Sequence, residues 1–206
     1  VNGAGMENFL GKVLKQYPQL PLITASDGVE LLRDEHGENP HVWVSVSLHQ
    51  KQVSKIAVEL ARLNPVHAQA YLSNAAAYAA RLENLKQRMH QALAGAANRS
   101  IVTFHEAFAY FAQEFSLNVV AVVEREPGTE PNARELAEAI EQIRTSNVQA
   151  IFVEPQYPSR SAQTIARETK TPVYVLDPAV TGPLRADAYL EIMEKNAKEL
   201  ARALGN

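Results

Sequence analysis

The sequence predicts an α/β fold, and two patterns carry that prediction. After residue 95, four short apolar segments alternate with segments of helical periodicity, an order typical of a parallel sheet covered on both faces. Before that point, residues 65–93 contain no glycine and no internal proline, and their apolar side chains recur at steps of three and four. One long helix is therefore predicted to precede the α/β region.

The segments before the long helix are shorter and more varied. Residues 5–17 have helical spacing that stops at Pro18, and residues 20–24 are predicted to form a short strand. The segments that follow are, in order, a turn over 27–34, a polar loop over 34–40 and a helix over 47–63.

The predicted long helix is notable for its length. At 1.5 Å per residue it would span roughly 40–45 Å, which exceeds the diameter of a small domain. A long surface helix is one interpretation, and a rigid connection between two lobes is the one we favour. Pro65 suits the first turn of such a helix.

The α/β region divides into strands and helices of ordinary length. Strands are predicted over 100–104, 117–123, 148–153 and 172–176, and helices over 106–115, 131–145, 159–168 and 186–204.

Composition excludes several classes of function. The formal net charge is -3 and no dense basic stretch occurs, so nucleic acid is not an expected partner. No apolar run approaches the ~20 residues that cross a bilayer. The absence of cysteine excludes disulfides and thiolate metal sites. Because the chain begins at Val1 without a methionine, we expect that a signal peptide and more of the N-terminus have been removed.

Three polar side chains follow strands of the predicted sheet. His105, Glu154 and Asp177 come directly after apolar strand segments, and ligands of open α/β sheets bind outside the carboxyl ends of the strands. Imidazole and carboxylate together suit zinc, and also manganese or iron(II). Each residue also has a simpler explanation: a helix cap for His105 and Glu154, and a turn for Asp177.

The remaining candidates are weaker. His41 follows Asn39-Pro40 and precedes Trp43, which we expect to pack in the core. His49, His67 and His90 are expected on solvated helix faces, and His36 could add a weak contact from the polar loop. A carboxylate pair among Glu124, Glu126 and Glu130 is less favoured than a charged loop rim, and no nucleotide-binding or esterase motif is present.

These motifs, in their order, resemble those of the zinc/manganese solute-binding proteins of ABC importers. The resemblance covers essentially the whole chain, and no single motif is specific. Its elements are Asn39-Pro40-His41-Val42-Trp43, His105-Glu106-Ala107-Phe108, Glu130-Pro131, Phe152-Val153-Glu154-Pro155-Gln156 and Leu176-Asp177-Pro178, with Tyr71, Asn74, Tyr78, Tyr189, Met193 and Asn196 on helices.

The resemblance implies two Rossmann-like lobes with parallel sheets, joined by one long helix, with the metal held between them. The implied domains are 1–64, an incomplete N-terminal lobe; 65–94, the linking helix; and 95–206, the C-terminal lobe. The implied metal ligands are His41, His105 and Asp177, with Glu154 beside the site as a supporting residue. A further ligand histidine of the family precedes the first helix and is not in this chain, so weak binding or none is expected of it.

The implied function is capture of a divalent transition metal as cargo and its delivery to the permease of an ABC importer. Zinc is favoured over manganese because the family's zinc binders carry histidine at the position of His105, although the acidic, histidine-rich loop of many zinc binders is nearly absent. The expected protein is no enzyme, is monomeric at full length, and is periplasmic or lipid-anchored at the outer face of the cell membrane.

Three alternatives stay open on the sequence alone. A metal-dependent hydrolase on an α/β scaffold would use Glu154 as its base and would turn over esters or phosphates. A surface adhesin with an incidental metal would bind its partner in the presence of chelators. A receptor for a siderophore or cobalamin would need an aromatic or basic cleft.

Overall fold

A computed structural model describes residues 1–34, 37–123, 130–157 and 160–205. The chain forms two compact units, Val1–Asn84 and Leu85–Asn206. Helices and strands alternate in the second unit, as the sequence predicts, whereas the first unit is mainly helical in its described residues. The predicted α/β class is confirmed, with a parallel sheet and one long helix.

The N-terminal unit begins with a short helix. A 3-10 turn over Asn8–Leu10 continues into helix α1, Gly11–Gln16, so the predicted helix is confirmed over its second half. The predicted strand over 20–24 is wrong. The Val1 ammonium donates to Ile23 O and Ala25 N–H donates to Val1 O, but this pairing is too brief to form a ladder.

A small hairpin follows. Strands β1, Arg33–Asp34, and β2, Gly37–Glu38, pair antiparallel within the predicted polar loop. A 3-10 turn over Val42–Val44 then leads to helix α2, Val46–Leu63. Ser45 caps α2, since its side chain accepts a hydrogen bond from Leu48 N–H at 3.2 Å. The predicted helix over 47–63 is confirmed within one residue.

The long helix is confirmed as well. A 3-10 turn over Pro65–His67 opens it, and helix α3 runs over Ala68–Leu93, which at 1.5 Å per residue is about 39 Å. Its later apolar positions are fully buried: Leu82, Leu85, Met89 and Leu93. The earlier Leu72 is exposed, so the predicted apolar face is buried over only part of its length.

The C-terminal unit contains a four-stranded parallel sheet in the order β4-β3-β5-β6. The strands are β3, Ser100–Thr103; β4, Asn118–Val122; β5, Ala150–Val153; and β6, Val173–Val175. Every residue of β5 and the last three of β3 are buried, as expected for central strands covered on both faces.

Helices connect and cover these strands. They are α4, Ala109–Glu114, preceded by a 3-10 turn over Glu106–Phe108; α5, Ala133–Thr145; α6, Arg160–Thr169; and α7, Ala188–Leu204. Asn132 and Glu135 form a capping box that begins α5. One cluster of the core joins β3 and β5 to α5 and α6 through Val102, Ile151, Ile143 and Ile165. No helix within the described ranges combines the length and apolar character needed to cross a bilayer.

Candidate metal centre

The sheet order creates a switch point between β3 and β5. Strand β4 lies on the outer side of β3 and β6 lies on the outer side of β5, so the chain leaves the two central strands in opposite directions. Open α/β sheets bind ligands in the crevice that such a reversal makes at the carboxyl ends of the strands. His105 lies two residues after the end of β3, and Glu154 directly follows β5.

The structure brings these two side chains into contact. His105 Nδ1 lies 2.6 Å from Glu154 Oε1, and the two side chains are 12% and 3% exposed. With the carboxylate ionised, Nδ1–H is the donor and the ring lone pair is on Nε2. Carboxylate partners of this kind orient metal-ligating histidines and increase their basicity.

Glu154 is held at its other oxygen too. Gln156 Nε2 donates to Glu154 Oε2 at 3.1 Å, so both carboxylate oxygens accept hydrogen bonds. Gln156 Oε1 is buried and has no hydrogen-bond partner in the described part of the chain. The Glu154 carboxylate is therefore engaged at both oxygens by neighbouring side chains.

Asp177 lies at the same edge, two residues after β6. Burial raises the pKa of its carboxyl group, and the charge of Glu154 adds to the rise, while a hydrogen bond from Ala179 and the charge of Lys195 oppose it. The carboxyl groups of Glu154 and Asp177 therefore lie near each other at this edge, partly shielded from solvent. A divalent cation would relieve that cost.

The N-terminal unit presents a second oriented histidine. His41 is 8% exposed, and Asn39 Oδ1 lies 3.0 Å from its backbone N and 2.9 Å from its Nδ1. The amide oxygen can only accept, so Nδ1–H donates and Nε2 carries the lone pair. The ring of Trp43 is 5.4 Å away, and Trp43 is only half-buried, which corrects the expectation that it packs in the core.

Neutral amides hold the segment that carries His41. Asn2 Nδ2 donates to Pro40 O at 2.8 Å, and Gln52 Nε2 donates to Asn2 Oδ1 at 3.0 Å. Glu7 accepts from the backbone N–H groups of Asn2 and Gly3. Gly3 has φ +92°, and a Cβ there would lie 2.4 Å from the Ser26 hydroxyl, so glycine is required.

The other histidines divide into two kinds. His67 and His90 are exposed, as predicted. The expectation for His49 is wrong, because its ring is half-buried, with Nδ1 shielded from solvent, at 6.2 Å from the Tyr78 ring. Burial lowers its pKa to about 4 against a raising contribution from Gln52.

Several predicted candidates fall elsewhere. His36, Glu124 and Glu126 lie outside the described residues. Glu130 is exposed and accepts a hydrogen bond from Ser161. Within residues 1–34, 37–123, 130–157 and 160–205, no three His, Asp or Glu side chains gather into a group that could hold a metal ion.

Sequence reasoning missed Asn2 and Gln52, and it named Asn196 only within the family resemblance, without its contacts. Asn2, Gln52 and Asn196 carry side-chain amides whose hydrogen bonds join distant parts of the chain. The available signal was a polar residue within a buried apolar stripe, as at Gln52 in α2 and Asn196 in α7.

A parallel sheet with imidazole and carboxylate groups at its switch point is typical of α/β proteins that bind a ligand at that edge. Comparison with known proteins narrows this class. The family described as "Zinc-uptake complex component A periplasmic" matches residues 1–203, and the chain belongs to this family.

Named relatives agree with this assignment. The "High-affinity zinc uptake system protein ZnuA" of Bacillus subtilis is 29% identical over an alignment of 202 positions, which covers 88% of this chain and 63% of that protein. The "Zinc-binding lipoprotein AdcA" of Streptococcus pneumoniae is 32% identical over an alignment of 177 positions, which covers 81% of this chain and 35% of that protein. The chain thus spans less than two thirds of the length of either relative.

A solved structure matches nearly all of the chain. The solute-binding protein FpvC of Pseudomonas aeruginosa, crystallised with Ni²⁺, is 37% identical with a TM-score of 0.89, covering 99% of this chain and 76% of that one. The same protein with Mn²⁺ gives a TM-score of 0.88. The fold is therefore one that this chain shares with a solute-binding protein.

Proposed function

We propose that this chain is part of an extracytoplasmic solute-binding protein that captures a divalent transition metal ion and delivers it to the permease of an ABC importer. The observation that carries the proposal is the His105–Glu154 pair, 2.6 Å apart at the switch point of the sheet. An imidazole oriented by a carboxylate is the arrangement found at ligating histidines.

The proposed ligands are His41, His105 and Asp177, with Glu154 supporting His105. Both imidazoles have Nδ1 engaged by an oxygen acceptor, which assigns the metal-binding lone pair to Nε2 in each. Imidazole prefers zinc to manganese, so zinc is the proposed cargo. The names of the ZnuA and AdcA relatives support zinc, and the FpvC structures with Ni²⁺ and Mn²⁺ show that a relative accepts other metals.

Binding without catalysis is the second part of the proposal. A metal-dependent hydrolase would need a general base, and Glu154 was its candidate. Both oxygens of Glu154 accept hydrogen bonds from His105 and Gln156, which suits a support for a ligand better than a base facing substrate.

The proposal includes location and organisation. The protein would act in the periplasm or be lipid-anchored outside the cell membrane, as the family description and the AdcA name support. We propose a monomer with lobes over 1–64 and 95–206 and a linking helix over 65–94, in line with helix α3.

Zinc titration of the full-length protein tests the proposal. Calorimetry with competing chelator should give a zinc affinity at least about 100-fold lower for His105→Ala, more than the 10–100-fold typical of losing a ligand's supporting partner. His90→Ala, at an exposed histidine of α3, is the matched control and should bind normally. Unchanged affinity in His105→Ala would refute the proposal.

Trp43 supplies an independent signal. It is the single tryptophan of the sequence, and its ring lies 5.4 Å from that of His41. Zinc binding at His41 should change its fluorescence, and His41→Ala should abolish the change. Because the ligands must be deprotonated, zinc affinity should fall in acid.

A further inference from the structure

Asp177 lies where strand pairing gives way to a helix contact. Leu176 N–H donates to Val153 O at 2.9 Å, which extends the β5–β6 ladder by one residue. At Asp177 the partner becomes Asn196 of α7: Asp177 N–H donates to Asn196 Oδ1 at 2.9 Å, and Asn196 Nδ2 donates to Asp177 O at 2.7 Å. One side-chain amide thus pairs with both backbone groups of one residue.

The burial of Asn196 favours this pairing. Asn196 is 2% exposed, between the buried Met193 and Ala197 of α7. A buried amide costs free energy unless its oxygen and nitrogen are both satisfied, and the backbone of Asp177 satisfies both. Helix α7 therefore fixes the main chain at Asp177.

The carboxylate of Asp177 is fixed by a different contact. Ala179 N–H donates to Asp177 Oδ1 at 2.8 Å, and Ala179 has φ +59°, a left-handed conformation that costs energy for an alanine. Strained residues of this kind persist where the surrounding structure imposes them. The bond occupies Oδ1 and makes Oδ2 the oxygen better placed to take a metal.

We propose that Asn196 is a positioning residue that keeps Asp177 a one-oxygen ligand and thereby favours zinc over manganese. The inference rests on the proposed function. Zinc is usually four-coordinate, so imidazoles and one carboxylate oxygen suit it. Manganese prefers octahedral, oxygen-rich surroundings, in which a second carboxylate oxygen would be gained by a mobile aspartate.

The test measures both metals on one set of variants. In Asn196→Leu, which removes both hydrogen bonds at similar size, zinc affinity should fall about 10-fold or more, while manganese affinity falls less, so the zinc-to-manganese ratio drops. Leu200→Ala is the matched control, since Leu200 is fully buried one turn further along α7. It should lower the melting temperature and leave the ratio unchanged.

A second variant and a metal-free measurement guard against misfolding. Asn196→Asp keeps the acceptor for Asp177 N–H and loses the donor to Asp177 O, so its ratio should be intermediate. In the metal-free protein, the amide resonances of Asp177 and Ala179 should shift in Asn196→Leu and stay in place in Leu200→Ala.

The outcomes separate this inference from the proposed function. An equal fall for both metals in Asn196→Leu, or the same change of ratio in Leu200→Ala, would overturn the role of Asn196 while zinc binding that depends on His105 still stood. No zinc binding by the wild-type protein would overturn the proposed function and this inference with it.

Discussion

Each unit holds one histidine through a hydrogen bond at its ring Nδ1, but the chemical nature of the partner differs. In the N-terminal unit, Nδ1 of His41 meets the amide oxygen of Asn39 at 2.9 Å; in the C-terminal unit, Nδ1 of His105 meets the carboxylate of Glu154 at 2.6 Å. An amide oxygen orients the ring without charge. A carboxylate also makes the imidazole more basic and adds negative charge beside the metal. The histidine of the first unit thus has a neutral partner, and the histidine of the second unit has a charged one.

The surroundings follow the same division. The backbone beside His41 is held by neutral amides: Gln52 donates to Asn2, and Asn2 donates to the carbonyl of Pro40. The C-terminal edge holds Glu154 and Asp177; burial raises the pKa of Asp177, and the charge of Glu154 adds to the rise. We therefore expect substitutions at the charged edge to affect cation binding more than substitutions around His41.

Among the substitutions that compare the two units, the largest effect is expected from Glu154→Gln, which gives His105 the kind of partner that His41 has. Loss of the charge should lower zinc affinity by about 10–100-fold, measured by competition calorimetry. Glu168→Gln, at an exposed carboxylate of α6, should leave affinity unchanged. A Glu154→Gln protein with wild-type affinity would show that the charge difference between the two units is irrelevant to binding.

Acid should weaken the N-terminal unit through a third histidine. Burial lowers the pKa of His49 to about 4, so below pH 6.5 the unfolded state binds a proton that the folded state does not. The resulting stability is present above pH 6.5 and is lost as the pH falls towards 4, by about 2 kcal/mol between pH 7 and pH 5. Denaturant unfolding followed by Trp43 fluorescence measures it.

His49→Phe should remove this part of the pH dependence, because phenylalanine can keep the ring contact with Tyr78 and does not titrate. His67→Phe, at an exposed position, is the control and should retain the wild-type dependence. The raised pKa of Asp177 has the opposite sign: its contribution is present below the pKa of an unfolded aspartate and is lost as the pH rises through the folded value. If the free energy of unfolding depended on pH equally in the wild type, His49→Phe and His67→Phe, the assignment to His49 would be contradicted.

Asn39→Ala should have a smaller effect on binding than Glu154→Gln. It removes the oxygen that accepts from both the backbone and Nδ1 of His41, so zinc affinity should fall by about 10-fold, the lower end for a supporting partner. Asn74→Ala, on an exposed part of α3, should bind normally. If Asn39→Ala binds more weakly than Glu154→Gln, orientation matters more than charge.

The smallest effect is expected at the turn after Asp177. Ala179→Gly removes the strain of an alanine in the left-handed region, which should raise the free energy of unfolding by about 1–2 kcal/mol. The greater freedom of glycine in the unfolded chain should lower it by about 0.5–1 kcal/mol. The net gain should be about 0.5 kcal/mol by denaturant unfolding. Ala137→Gly, inside α5, should instead lose about 1 kcal/mol. A loss at Ala179→Gly would mean that its φ of +59° carries no strain.

Local patterns predicted those elements whose stability is local or that bury a continuous stripe. Helix α3 and the four strands of the sheet were found because periodicity and the absence of glycine and proline specify them. The segment 20–24 has the apolar character of a strand, but its hydrogen bond to a distant residue is the one that Ile23 O accepts from the Val1 ammonium. Such pairing depends on a distant part of the chain that periodicity does not encode.

The same limit applies to the candidate site. The strand-end rule found His105, Glu154 and Asp177 because the topology of parallel sheets determines where strand ends lie. It could not give the contacts of Asn196 or Gln52, since a side-chain amide chooses its partner only after the helices have packed. His49 was misjudged for a related reason: it precedes the buried Gln52 by three residues and therefore shares its face of α2.

The hydrogen bonds between Asn196 and residue 177 have an evolutionary consequence. Its two hydrogen bonds reach only main-chain atoms, which every amino acid other than proline offers in full. A descendant could thus exchange the aspartate for another side chain, and so retune its preference among cations, while the scaffold beneath kept its shape.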